Sequence, residues 1–202
     1  MEKQSLEQVI DEVVSRTFEN MTNLYKKTGI VNTLLVFPEY TRGNQKGSIR
    51  VSEQELRQLF IEELTRYVKN TSIDLQYSVE TPTIDGYRFT GDAPKHCDDG
   101  RAGRFDLTIW SAGKRCALIE FKFSTAGEHE YHKDLCKLSN KKEGSSDVLR
   151  YFINVFEGAD EGTVGRLREI LATYKNGERT VHLRFHSLKD EEFDKKFPTQ
   201  IY

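Results

Sequence analysis

Three charged residues interrupt otherwise apolar segments: Asp106 within RFDLTIW (104–110), and Glu120 and Lys122 within CALIEFKFS (116–124). Side chains two apart on a strand share a face, so Glu120 and Lys122 point one way while Ile119, Phe121 and Phe123 point the other. The short SAGKR stretch joins the two segments as a hairpin. If its turn centres near residue 113, Asp106 and Glu120 lie opposite each other with Cβ atoms about 5 Å apart. Carboxylates that close repel, so either one is protonated or a cation sits between them, and a buried glutamate elsewhere in the chain favours the cation. The ligands on offer are all oxygen: Asp106, Glu120, the Phe121 carbonyl between the two charged side chains, and water. That set suits magnesium or manganese and suits zinc poorly. Such an ion would acidify a water and polarise a phosphodiester, with Lys122 orienting the water and neutralising charge on the phosphorane oxygens. The plain alternative is a solvated hairpin face carrying a surface ion pair, since acids and lysines abound in a chain with 31% charged residues. The apolar residues around all three positions weigh against it, because such strands belong to a sheet centre, where unpaired charge is costly.

The elements that must hold these residues follow from hydrophobic periodicity. Residues 5–25 carry Leu6, Ile10, Val13, Val14, Phe18 and Met21 at helical spacing. TRGNQKGS (41–48) reads as an exposed, mobile connector without nucleotide-binding spacing. Ser52 and Glu55 form a capping pattern ahead of LRQLFIEELTRYV, whose Leu56, Leu59, Phe60, Leu64 and Tyr67 make one side of a helix. Glu63 falls on that side, about 20° from Leu56, and there needs a partner, a metal or a water cluster. From Ile73 the pattern alternates as a strand and continues to a turn at Asp85-Gly86, and APKHCDDGRAG (93–103) reads as a loop. After the hairpin come a helix at 128–139, a strand at 149–157, a helix at 163–174 and a strand at 181–188. The order predicts an α/β domain, a mixed central sheet flanked by helices, over 51–202, with residues 1–50 as an N-terminal helical extension and connector packed on it.

RFDLTIW followed by ALIEFKFS resembles the core signature of the PD-(D/E)xK, or restriction-endonuclease-like, nuclease superfamily. The element order from 52 to 157 resembles that superfamily's core as well. The resemblance maps its acid onto Asp106, although Phe105 replaces the preceding proline, and its Glu-x-Lys onto Glu120 and Lys122. It implies a further glutamate before the sheet, matched by Glu63, and polar residues on the helix after the Glu-x-Lys strand, matched by Lys133, Asp134 and Lys137. It implies Mg2+- or Mn2+-dependent hydrolysis of nucleic acid, DNA rather than RNA. The alternative is a nuclease-like binding or regulatory module without catalysis.

Lys133 and Lys137 lie one turn apart, away from Tyr131 and Leu135, and could meet a phosphate backbone, although plain solvated lysines would look the same. Arg101 and Arg104 flank the Asp106 strand and could recruit a polyanion, and Tyr87, Arg88 and Phe89 could stack on a base or simply pack in the sheet. The formal charge of −2 gives no global attraction to nucleic acid, so binding would need a local basic surface. Three cysteines without CxxC spacing suggest reduced thiols. With no membrane span and no signal-peptide pattern, the expectation is a cytoplasmic protein. Cutting both strands of a duplex needs two sites or two encounters, which makes a two-fold homodimer attractive.

Overall fold

The computed structural model describes residues 5–29, 31–89, 94–124, 126–190 and 192–201. They form two compact units, Met1–Ile73 and Asp74–Tyr202. The division falls after the second helix, whereas the sequence pattern placed a boundary at residue 50. Among the described residues no helix is long and apolar enough to cross a membrane.

The first unit is built on α1 (Leu6–Lys26) and α2 (Glu53–Thr71), which pack against each other. Ser5 caps α1 reciprocally with Gln8: the Gln8 N–H donates to Ser5 Oγ at 3.2 Å and the Ser5 N–H to Gln8 Oε1 at 2.9 Å. The pair expected to do this for α2 does not, because Ser52 Oγ donates to the Glu55 side chain and makes no bond to the helix backbone. The buried stripes are largely those the spacing marked, Ile10, Val13, Val14, Phe18 and Met21 on α1 and Leu56, Leu59, Phe60, Leu64 and Tyr67 on α2, except that Val9 is buried on α1 where Leu6 was expected and Leu6 is half-buried. Each large apolar side chain so buried is worth about 1.5–3 kcal/mol. The 41–48 connector is exposed, and hydrogen bonds between Tyr40 and Ser48 (2.9 Å) and between Gly47 and Tyr40 (2.8 Å) fold it back on itself.

The second unit is a seven-stranded mixed sheet of order β2-β1-β3-β4-β5-β6-β7. Its strands are β1 (Gln76–Arg88), β2 (Lys95–His96), β3 (Arg101–Ser111), β4 (Lys114–Phe123), β5 (Leu149–Phe156), β6 (Val181–Ser187) and β7 (Gln200–Ile201). Strands β2, β1, β3 and β4 pair antiparallel, β4, β5 and β6 pair parallel, and β7 closes the far edge antiparallel. The parallel pairs are joined through α3 (Glu128–Ser139) and α4 (Glu161–Thr173). Both crossovers step the same way across the sheet, so a common hand puts both helices on one face. Accordingly Leu135, Leu138, Leu167 and Ile170 share a cluster with Phe152 and Leu183.

Two local features correct the pattern read from sequence. The Asp85-Gly86 pair is no turn: β1 runs through it, with a register shift between Pro82 and Gly86, and part of the expected 93–103 loop is strand, as β2 and the start of β3. Glycine is needed there for close backbone approach, since a Cβ on Gly86 would lie 2.6 Å from the Cys97 carbonyl oxygen and one on Gly100 2.4 Å from the Tyr87 nitrogen. The second feature is a bulge in the β3–β4 hairpin. The turn is tight, with Ala112 and Gly113 both at positive φ (48° and 73°), and Trp110 faces Arg115. Beyond Cys116, the extra residue, Ile109 faces Ala117 and Leu107 faces Ile119. Continued by one residue, this register puts Asp106 across from Glu120. Without the bulge it would face Ile119, whose side chain belongs to the other face.

Candidate functional site

The β3–β4 pairing ends at Leu107 and Ile119, and past that point a side chain takes over from the backbone: the Phe121 N–H donates to Asp106 Oδ2 at 2.8 Å. Asp106 is half-buried, and Glu120 is almost fully buried at 1% exposure. Glu120 stands beside Phe152 and Lys122 beside Asn154 in the β4–β5 ladder, on the face that α3 covers.

Helix α3 supplies the counter-charges. The Lys137 ammonium lies 2.5 Å from Glu120 Oε1 and 2.9 Å from Asp134 Oδ1, and donates to the Arg104 carbonyl at 2.8 Å. Its Nζ also sits 5.7 Å from the centre of the Phe105 ring. Lys122 Nζ reaches the other oxygen of Asp134 at 2.7 Å. The result is an alternating chain, Glu120, Lys137, Asp134, Lys122, whose members are buried or nearly so. Gly103 leaves room for it, since a Cβ there would come within 3.2 Å of Lys137 Cδ.

Burial pushes the Glu120 carboxyl well above the ordinary carboxylate range; the Asp134 charge adds to the shift and Lys137 offsets part of it. Burial alone would raise Asp134 as well, but the ammonium groups of Lys137 and Lys122 hold it below its usual value. Burial works against a charged Lys137, and Glu120 and Asp134 outweigh it, so the ammonium persists above its ordinary range. The centre is therefore organised around an internal cation that stays charged. Its charge contacts do not all meet hydrogen-bond geometry: Glu120 Oε1, Asp134 Oδ2 and, nearby on β5, Asn154 Oδ1 are buried without a hydrogen bond.

Of the residues the sequence singled out, the hairpin brings Asp106, Glu120 and Lys122 to one part of the sheet. Lys137, expected on the solvent side of α3, is instead 2% exposed and inside the centre, because two carboxylates and a carbonyl repay its burial. Lys133 remains near the surface, 3.6 Å from Glu130 and 5.7 Å from the centre of the Phe89 ring. Arg104 is exposed, 3.9 Å from Glu80, and contributes its carbonyl to Lys137. Arg101 is exposed and, with Tyr87, Arg88, Phe89, Asp99 and Gly100, lines a cavity of about 450 Å3. Tyr87 itself is buried, stacked on Phe89 at 5.6 Å. Glu63 belongs to the helical unit, where its partners are Asn20 Nδ2, at 2.6 Å, and the Arg66 guanidinium.

Asp134 is the residue that sequence reasoning under-weighted. It lies three after Tyr131 and four before Leu138, on the buried stripe of α3, which is the criterion that drew attention to Glu63.

The expected ligands of a magnesium or manganese ion are already engaged by groups of the protein itself. A lysine ammonium holds Glu120, the Phe121 N–H engages Asp106, and among the described residues no three His, Cys, Asp or Glu side chains are grouped to hold a metal. Compared with protein-family models, with curated proteins and with solved structures, the chain matches none.

Proposed function

We propose that Asp74–Tyr202 is a restriction-endonuclease-like module that binds nucleic acid, DNA rather than RNA, in a regulatory or scaffolding role and without cutting it. The observation that carries this reading is the buried Lys137 ammonium against Glu120 and Asp134, because carboxylates already paired with an internal cation offer an incoming ion less charge to balance. Support for a polyanionic partner comes from Arg101 and Arg88, the latter paired with Asp99, which line one cavity with Phe89, and from Lys133 over the Phe89 ring, a set that suits a phosphate backbone and an unstacked base. End-labelled single-stranded DNA, duplex DNA and RNA, each incubated with the protein in Mg2+ or Mn2+, test the reading. Retarded but intact DNA is expected, with retardation weakened by Arg101→Ala and by salt. Metal-dependent cleavage that disappears in Glu120→Gln would overturn it.

A second reading, metal-dependent phosphodiester hydrolysis, is favoured by one observation, the bulge-set register that aligns Asp106 with Glu120. It requires Lys137 to leave Glu120, and the same incubation decides between the two.

A further inference from the structure

We infer that the Lys137 ammonium is a built-in occupant of a cation position, and that the centre accepts a divalent ion only when this side chain is removed or displaced. This rests on the reading of the centre as closed by its own charges, and goes further by assigning the closure to one side chain.

The geometry around Lys137 Nζ is that of a bound cation. Three oxygens from three elements converge on it: Glu120 Oε1 from β4 at 2.5 Å, Asp134 Oδ1 from α3 at 2.9 Å and the Arg104 carbonyl from β3 at 2.8 Å. Carboxylate and carbonyl oxygens are also the ligands that hard divalent ions prefer. The surroundings are built, since Glu120, Asp134 and Lys137 are each at most 2% exposed. Asn154 Oδ1, on a fully buried residue of the neighbouring strand, has no hydrogen bond and is a further oxygen on the same face of the sheet. Lys122 does not serve in place of Lys137, because its ammonium is engaged on the far oxygen of Asp134. Truncating Lys137 leaves Glu120 and Asp134 buried without the ammonium that paired with both, and with Lys122 still engaged on Asp134. A small hard ion entering from solvent would relieve that imbalance.

The test is Mn2+ binding to the full chain, read by calorimetry and by the shift in thermal unfolding, in the wild type, Lys137→Met, Lys137→Arg and the double variant Lys137→Met/Glu120→Gln. Lys137→Met is expected to bind Mn2+ at least about tenfold more tightly than the wild type. Lys137→Arg, which keeps the charge, should behave as the wild type, and the double variant should lose the gain. A folded Lys137→Met that binds no better than the wild type overturns the inference. Should Lys137→Met fail to fold, lysine acylation of the wild type, mapped by mass spectrometry with and without Mn2+, gives the decision. Lys137 protected with no Mn2+ bound, or labelled in step with Mn2+ binding, supports the inference, and Mn2+ bound while Lys137 stays protected overturns it. Failure of the non-catalytic reading would show separately, as DNA cleavage, whichever way Lys137 behaves.

Discussion

Two buried glutamates in the sheet unit are held in different ways, Glu143 chiefly by hydrogen bonds, with the Arg115 guanidinium 3.8 Å away, and Glu120 by an ion pair. Glu143, fully buried, accepts the Ile84 N–H at 2.8 Å, the Asp85 N–H at 3.0 Å and the Tyr87 hydroxyl at 2.8 Å. Those amides belong to the irregular stretch of β1 between Pro82 and Gly86, so Glu143 supplies acceptors where the ladder is interrupted. Asn140 Nδ2 completes the group by donating to both Tyr87 Oη and Asp85 Oδ2 at 2.9 Å. Glu120 has no backbone donor assigned to it and is held by an ammonium on a flexible stem. Fixed dipoles make a carboxylate part of the fold, whereas a movable counter-charge makes one that can exchange partners. The first is a structural element and the second a candidate site.

Substitutions can break or sharpen this contrast. The largest effect is expected from Glu143→Gln, which turns an NH2 group toward a donor and leaves buried N–H groups short of acceptors. It should cost about 3 kcal/mol in denaturant unfolding. Lys137→Met should cost about 2 kcal/mol near neutral pH, and less in acid. The sign follows from the shifts. A raised Glu120 favours the folded state while protonated and loses that contribution as pH climbs through its folded-state value, and removing the ammonium raises that value further. Asp134, held low by Lys137 and Lys122, contributes above its unfolded value, and loses part of that contribution with Lys137 gone. Both changes widen the deficit from acid to neutral pH, and unfolding curves at several pH values would check it. Tyr87→Phe, which removes the hydroxyl shared by Glu143 and Asn140, should cost about 1 kcal/mol. Glu120→Gln, nearly isosteric, relieves one buried charge but weakens the hold on the Lys137 ammonium, and these opposed effects should leave a change of less than about 1 kcal/mol. An equal loss from Glu120→Gln and Glu143→Gln would erase the distinction between the two carboxylates.

Much of the frame was legible because amphipathic periods are local. α1, α3, β5, α4 and β6 lie within a residue or two of where spacing put them. The failures share a cause, residues whose usual role was overridden by distant partners. Asp85-Gly86 looks like a turn, but here the glycine admits a neighbouring backbone and the freed amides find Glu143, far along the chain. Lys137 looks like a solvated helix lysine until Glu120, on another element, gives it a reason to be buried. The Asp106–Glu120 alignment depends on a bulge at Cys116, which no local pattern announces. Asp134 was within reach, since a carboxylate on an apolar stripe demands a counter-charge.

The central claim, that Lys137 takes the cation's place beside Glu120, is tested most directly by anomalous scattering from crystals of the wild-type protein soaked in Mn2+. The account predicts Lys137 within ion-pair distance of Glu120 and Asp134, and no anomalous peak beside those carboxylates. A manganese peak about 2.2 Å from the carboxylate oxygens of Asp106 and Glu120, with Lys137 still buried in place, would contradict it.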